Sequence, residues 1–169
     1  MTAKSSDGGL DYAEGPKDAR VMLIGQNPGQ KEVEQRRPFV GRSGKYLDRV
    51  LREKGIERKA LYITAVVKEP TPGNRKPTAE EIKRWMPWLV REIEEVAPEI
   101  VVLMGKVAWE TPRFAGIRYI ETYHPAAAMR FPKVRRRFED DMETLRCAIG
   151  EVSTPDLARI LDAEHLPRL

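Results

Sequence analysis

Four short apolar runs, each ending in a loop and separated by stretches of helical spacing, constrain the fold of this chain more than any other feature. The runs lie at residues 21–24, 61–67, 100–104 and 118–122. Apolar and β-branched runs of this length are typical of buried strands. Strands that alternate with helices form parallel sheets, because each crossover returns the chain to the same edge. The sequence therefore predicts a single α/β domain with a central, four-stranded, mostly parallel sheet flanked by helices.

The segments between these runs carry helix signals. Apolar residues within 46–51 share one helical face, and Gly55 is placed to end that helix. A second helix is predicted to begin at Thr78, which makes a capping box with Glu81, and its apolar residues recur at steps of three and four. A final short helix is predicted to start at Thr154-Pro155, because proline favours the first helical position.

The composition is that of a soluble globular protein. The chain has 169 residues, of which 41% are hydrophobic and 33% charged. No apolar run approaches the roughly 18 residues of a membrane span, and the polar start lacks the apolar core of a signal peptide. We expect a cytoplasmic monomer with one domain over residues 1–169 and a flexible amino-terminal segment at 1–15. The net charge of +4 and the pI of about 9.2 favour a polyanionic partner, but only modestly.

Two loops follow predicted strands and carry polar groups to one edge of the sheet. The first is Gly-Gln-Asn-Pro-Gly at 25–29, and the second is Tyr-His-Pro-Ala at 123–126. A Gly/Pro turn at the carboxyl end of a buried strand exposes main-chain N–H groups, and ligands bind at this edge in open α/β sheets. Either turn alone is also typical of an ordinary strand-to-loop connection. Together the two loops predict a base-binding pocket.

The longer pattern is more specific than either loop. Residues 25–47 read Gly-Gln-Asn-Pro-Gly-Gln-Lys-Glu-Val-Glu-Gln-Arg-Arg-Pro-Phe-Val-Gly-Arg-Ser-Gly-Lys-Tyr-Leu. Further motifs follow in order: Ile-Thr-Ala-Val-Val-Lys at 63–68, Pro-Gly-Asn-Arg at 72–75, Ile-Val-Val-Leu-Met-Gly at 100–105 and Tyr-His-Pro-Ala at 123–126. From about residue 20 to 145, the chain resembles the uracil-DNA glycosylase superfamily, and most closely its thermostable, iron–sulfur-containing family 4. The resemblance implies a three-layer α/β/α fold and a monofunctional DNA glycosylase that removes uracil or another deaminated base in base excision repair.

The resemblance also assigns chemistry to individual residues. Phe39 matches the family's stacking phenylalanine, which suits any base because every base offers a π face; a core phenylalanine is the alternative. His124 matches the motif histidine, which donates a hydrogen bond to the carbonyl oxygen where charge accumulates as the base leaves. Asn27 stands where the classical enzymes have Asp, and its neutral amide orients water but cannot accept a proton. Glu32 aligns with an acidic position of the family, as a catalytic carboxylate or as a solvated loop charge.

Base recognition departs from the family pattern at Ala65. The family has an asparagine there that reads the uracil edge, and alanine cannot do so. Either Asn74 or Asn27 supplies the contact, or discrimination extends to other deaminated bases such as hypoxanthine and xanthine, or activity is low. Gly25 and Gln26 complete the expected base-binding set, with contacts from main-chain N–H groups.

Basic residues collect on the loops around these motifs, where the resemblance places DNA. Such side chains give sequence-independent contacts with phosphates. The segment 126–131 matches the superfamily's wedge loop, in which Met129 or Arg130 fills the gap left by the flipped nucleotide, unless Met129 packs in the core. The expected DNA-binding residues are Arg37, Arg42, Arg75, Met129, Arg130, Lys133 and Arg135.

The iron–sulfur cluster of the related family is predicted to be absent. The chain has one cysteine, Cys147, whereas such a cluster is held by a set of thiolates. By motif, two of the family's cysteine positions are Glu69 and Trp85 here, and packing around Trp85 is expected to close the gap. No metal or other cofactor is expected.

Two other functions fit parts of the pattern. A non-catalytic or weakly active binder of DNA or damaged bases on the same fold would retain Phe39, His124 and the basic loops, and the residues at 27 and 65 suit such a protein. A nucleotide- or phosphate-binding α/β enzyme could share the Gly/Pro turn, but it would not need basic loops around Tyr-His-Pro.

Overall fold

The computed structural model describes residues 13–165, with the side chains of residues 13–151. Strands and helices alternate along the chain. The strands are β1 (Val21–Gly25), β2 (Leu61–Ala65), β3 (Ile100–Met104) and β4 (Arg118–Thr122). The helices are α1 (Gln30–Gln35), α2 (Arg42–Glu53), α3 (Ala79–Val96), α4 (Pro125–Arg130) and α5 (Pro132–His165), and short 3-10 turns lie at Arg58–Ala60, Pro72–Asn74 and Ala108–Glu110.

The strands form one parallel sheet in the order β2-β1-β3-β4. The register of β1 against β2 runs from Val21 opposite Leu61 to Gly25 opposite Ala65. Strands β1, β2 and β3 are buried along their whole length, which explains why they are continuous apolar runs rather than alternating ones. All four carboxyl ends therefore meet at one edge of the sheet, and the strand order reverses at β1.

Helices cover both faces of the sheet and make a three-layer structure. On one face, Leu47 of α2 and Phe138 of α5 are fully buried against β1 and β3. On the other face, Trp85 and Leu89 of α3 pack against the same strands. The apolar stripes predicted for these helices are the surfaces that face the sheet.

The outer edge of β2 carries one antiparallel bridge. The main-chain nitrogen of Glu14 donates to the carbonyl of Ile63 at 3.1 Å, and the nitrogen of Ile63 donates to the carbonyl of Glu14 at 2.8 Å. Ile63 is the middle residue of β2. The segment before β1 therefore covers the centre of this edge.

The predicted fold class is confirmed, and the sheet is entirely parallel. The predicted capping box of Thr78 and Glu81 starts α3, and Gly55 lies just after the end of α2. The prediction of a separate final helix is wrong, because α5 passes through Thr154-Pro155 as one helix. Proline removes one main-chain hydrogen bond of a helix and need not end it, so a Thr-Pro pair locates a helix start unreliably.

Two sequence predictions concern the ends of the chain. Most of the amino-terminal segment predicted to be flexible, 1–15, lies outside the described residues, and the domain bounds 1–169 stay a prediction. Across residues 13–165, no helix combines the length and the apolar character that crossing a membrane requires.

Candidate active site

A cavity of about 1040 Å³ opens where the carboxyl ends of the strands meet. Its walls come from the loop after β1 with α1, from the end of β2, and from α4 after β4. This is the crevice in which ligands bind in open α/β sheets. The predicted site residues that the structure brings together in its lining are Gln26, Asn27, Glu32, Phe39, Arg42, Ala65, Asn74, His124, Met129 and Arg130.

His124 is the residue that caps α4 at its amino end. Its Nδ1 accepts the main-chain N–H of Ala126 at 3.0 Å, so the proton of the neutral ring is on Nε2. Loss of hydration lowers the pKa of the imidazole to about 4, and the negative charge of Glu32 opposes this shift only in part. At neutral pH the ring is therefore uncharged, with one N–H that the cap does not use.

Phe39 packs beside His124, with the two ring centroids 5.6 Å apart and the ring planes tilted by 35°. A Cβ on Gly25 would lie 2.7 Å from Cζ of Phe39, so only glycine allows the ring to lie over the end of β1. Gly44 of α2 supports the same loop, since a Cβ there would lie 1.9 Å from the carbonyl oxygen of Phe39. Gly25 thus contributes to the cavity by admitting the ring rather than by lining it.

Glu32 ties together the two loops that build the cavity. One carboxylate oxygen accepts the N–H of Gly29 at 3.1 Å, and the other accepts those of Val40 at 2.9 Å and Gly41 at 3.0 Å. The carboxylate is thus neither a solvated loop charge nor a free base. Protonation of this carboxylate would weaken its bonds to the main-chain donors that hold the Phe39 loop.

Arg58 holds the same loop from the other side, and sequence reasoning missed it. Its guanidinium donates to the carbonyl of Phe39 at 3.1 Å and to that of Pro38 at 2.5 Å. Glu14 and Asp48 pair with this guanidinium at 2.9 and 2.6 Å. Arg58 lies 19 residues beyond Phe39 in the chain, so no local motif could have indicated the contact.

The side-chain amide of Asn27, in the loop just after β1, has a defined orientation. Its Nδ2 donates to the main-chain carbonyl of Glu69 at 3.3 Å and lies 3.4 Å from that of Pro28. Its Oδ1 accepts from Nε2 of Gln26 at 3.2 Å. The donor end of the amide is therefore engaged by the protein, and the acceptor end retains a lone pair.

Ala65 is buried at the end of β2 and lines the cavity without a polar side-chain group. Its carbonyl accepts from Nζ of Lys68, which is itself buried and pairs with Glu92 at 2.6 Å. This pair holds the end of β2 in place beneath the cavity. Asn74, the other candidate for reading a base, is exposed on a turn at the rim.

The wedge segment divides into a buried and an exposed part. Met129 is half-buried and packs against the core around α5. Phe131, which sequence reasoning did not single out, lines the cavity with 51% of its surface exposed. Arg130 lies between them in the chain, with its guanidinium 6.0 Å from the Phe131 ring centroid, and Arg42 also lines the cavity.

The remaining predicted DNA contacts lie outside the cavity lining. Arg37 pairs with Glu14 at 2.7 Å, and Arg75 pairs with Glu81 at 2.8 Å. Arg135 donates to the carbonyls of residues 128 and 129 at 3.1 and 2.7 Å, so it braces the wedge segment. Lys133 is exposed in the first turn of α5. Contacts of these four cations with DNA stay predictions.

The residues present do not fit an iron–sulfur cluster. Cys147, the only cysteine of the chain, is exposed on α5. At the two motif positions where the resemblance implies cysteines, the carboxylate of Glu69 accepts the indole N–H of Trp85 at 2.6 Å. Between residues 13 and 151, no group of three or more His, Cys, Asp or Glu side chains is placed to hold a metal ion.

The stretch that builds this cavity is shared with known proteins. Residues 12–146 match the family described as the uracil DNA glycosylase superfamily. A Type-4 uracil-DNA glycosylase from Sulfurisphaera tokodaii is 34% identical over 157 residues, which cover 79% of this chain and 71% of that protein. The protein of the same name from Thermotoga maritima is 35% identical over 155 residues, which cover 80% of this chain and 81% of that protein. That from Archaeoglobus fulgidus is 31% identical over 154 residues, 78% and 77% of the two chains.

Proposed function

The chain belongs to the uracil-DNA glycosylase superfamily, and we propose that it hydrolyses the N-glycosidic bond of uracil or another deaminated base in DNA. The relatives described above carry the name Type-4 uracil-DNA glycosylase. The observation that carries the proposal is the neutral imidazole of His124, with its proton on Nε2, beside the ring of Phe39. A flipped base needs a flat wall and a hydrogen-bond donor in this relation.

The base side of the reaction uses these two residues. As the bond between C1′ and the base nitrogen breaks, its electron pair leaves with the base, and negative charge spreads to the base carbonyl oxygens. The Nε2–H of His124 donates to one of these oxygens, and a donor that is already in place needs no reorganisation at that moment. Phe39 holds the base by stacking.

On the sugar side, Asn27 orients the attacking water. C1′ develops the character of an oxocarbenium ion as the base leaves, so the water needs little help from a general base. The water oxygen bonds to C1′, and its proton passes to the solvent or to the departing base. The products are the free base and an intact abasic site, the outcome expected of a monofunctional glycosylase.

DNA is held at the rim of the cavity. Arg42, Arg130 and Lys133 are exposed there and on the adjoining turn of α5, where they can neutralise phosphates on either side of the flipped nucleotide. Affinity should therefore fall as salt concentration rises. We expect the protein to act as a monomer in the cytoplasm, in base excision repair.

The test is incubation with a duplex oligonucleotide that contains one uracil, followed by alkali. Strand breaks at the uracil position are expected. His124→Ala should slow excision by about a hundredfold to a thousandfold, the scale for loss of one such donor, while DNA affinity is retained. Cys147→Ala, an exposed change on α5, is the control and should match the wild type.

Two outcomes would contradict the proposal. Tight binding of uracil-containing DNA without any base release would identify a non-catalytic binder on the same fold. Trapping of a protein–DNA adduct by borohydride would indicate attack by an amine instead of water, and Lys31, which lines the cavity, is the amine to replace in that case.

A further inference from the structure

We propose that Glu69 and Trp85 are positioning residues that set the orientation of the Asn27 amide. The indole N–H of Trp85 holds the Glu69 carboxylate, and the main-chain carbonyl of Glu69 then engages the donor end of Asn27. The inference rests on the proposed function, because it assigns the acceptor end of that amide to the attacking water.

The hydrogen bond between the side chains of Trp85 and Glu69 is strong, and Trp85 is fixed in the core. Trp85 is 5% exposed and packs with the apolar face of α3, so its N–H has a fixed position. The distance from Nε1 to the Glu69 carboxylate is 2.6 Å, and Arg84 pairs with the same oxygen at 2.8 Å. Hydrogen bonds to an ionised acceptor are shorter and stronger than neutral ones. Residue 69 is thus fixed to α3, the helix that covers the far face of the sheet.

Main-chain hydrogen bonds connect the segment that carries Glu69 to the active site. After β2 ends, the nitrogen of Val66 donates to the carbonyl of Gly25 at 3.1 Å, and that of Val67 donates to the carbonyl of Gln26 at 3.0 Å. These bonds keep the chain after β2 alongside the loop after β1. They bring the carbonyl of Glu69 to within 3.3 Å of Nδ2 of Asn27.

The direction of the amide matters because its two ends treat water differently. A water that donates a proton to Oδ1 of Asn27 retains its lone pairs for attack on C1′. With the amide reversed, the NH₂ group would donate to the water, which occupies one of its two lone pairs and makes its oxygen less nucleophilic. The carbonyl of Glu69 can only accept, so it favours the first orientation.

The kinetic test compares single-turnover excision rates and melting temperatures. Glu69→Ala and Trp85→Phe should each lower the rate by about threefold to tenfold, the scale of one lost neutral hydrogen bond, while DNA affinity is unchanged. Glu69→Gln should restore most of the rate, because its amide oxygen can still accept the indole N–H. Trp88→Phe is the matched control: Trp88 lies on the same helix, with Arg91 over its ring at 4.8 Å, and the change should leave the rate unaltered.

Repeating the substitution in a protein without the Asn27 side chain distinguishes a positioning role from a general contribution to stability. In Asn27→Ala protein, Glu69→Ala should cause no further loss of rate, although it should still lower the melting temperature. An equal loss of rate in both backgrounds, or a folded Glu69→Ala with the wild-type rate, would overturn the inference.

A readout that does not need activity distinguishes this inference from the proposed function. The side-chain NH₂ resonances of Asn27 can be assigned in ¹⁵N-labelled protein by their loss in Asn27→Ala. They should move in Glu69→Ala and in Trp85→Phe, but not in Glu69→Gln or Trp88→Phe. Resonances that stay in place in Glu69→Ala would overturn the positioning role. Movement in a protein that releases no base would support the positioning contact while the proposed function fails.

Discussion

The carboxylate of Glu32 accepts the main-chain N–H of Val40 at 2.9 Å, across eight positions of the chain. With its bonds to Gly29 and Gly41, this contact joins the loop after β1 to the loop that carries Phe39. Both loops that build the cavity thus depend on one charged side chain. The consequence is a coupling of stability and activity at position 32.

Glu32→Ala should therefore reduce both quantities. The free energy of unfolding should fall by about 2–3 kcal/mol, because main-chain donors lose a charged acceptor, and excision should slow as Phe39 shifts. Chemical denaturation and single-turnover excision measure the two effects. Glu34→Ala is the control, since Glu34 is exposed on the same helix and bonds Gln30 at 3.3 Å. A Glu32→Ala protein with wild-type stability would contradict the assigned role.

The pKa of His124 predicts how rate and stability depend on pH. It is about 4 in the folded protein, against an ordinary value of 6.5. The folded state therefore binds fewer protons than the unfolded state between these values, and stability should fall as pH drops from about 6.5 towards 4. Excision should show no inflection near pH 6.5, because the ring is already neutral there.

Single-turnover rates and unfolding curves at constant ionic strength measure this dependence. His124→Asn has no titrating ring, so it should lose less stability than the wild type over the acidic range. An inflection in the wild-type rate near pH 6.5 that disappears in this variant would show that the ring titrates normally.

Ala65→Asn should shift base preference towards uracil. An amide at the buried end of β2 can accept from the uracil ring N–H and donate to the neighbouring carbonyl, which purine products do not match at the same place. A bidentate pair gives about 1–3 kcal/mol of discrimination, so the uracil-to-hypoxanthine rate ratio should rise by about tenfold. Ala65→Leu is similar in shape to Ala65→Asn but cannot form hydrogen bonds. An equal ratio in both variants would mean that position 65 does not face the base.

Phe131 and Met129 should respond in opposite ways to replacement by alanine. Phe131 is exposed at the rim and can stack into the gap left by the flipped nucleotide, so its loss should slow excision from duplex DNA by about tenfold, the scale of one lost stacking contact. Met129 is half-buried against the core, so its loss should lower stability by about 1–2 kcal/mol. Phe131→Trp should retain the duplex rate. If Met129→Ala slows excision and Phe131→Ala does not, Met129 is the residue that fills the gap left by the flipped nucleotide.

The sequence predicted the architecture well because burial on both faces of a sheet leaves a local signal. Strands β3 and β4 have the predicted bounds, and β2 ends two residues earlier than predicted. The loops of Asn27 and His124 were found because each follows a predicted strand, although β4, which precedes His124, is mostly exposed. The contacts that hold these loops were not predictable, since Arg58 reaches the carbonyl of Phe39 from another part of the chain. The exposure of Phe131 depends on where α4 and α5 meet, which no spacing of residues encodes.

The bridge between Glu14 and Ile63 occupies the centre of the β2 edge. Free sheet edges are templates for intermolecular strand pairing and hence for aggregation. Here the central N–H and C=O groups of a five-residue strand are already taken. Glu14 also pairs with Arg37 and Arg58, so an invading strand would have to separate two ion pairs as well as the bridge. The segment ahead of β1 therefore blocks strand pairing at the centre of this edge.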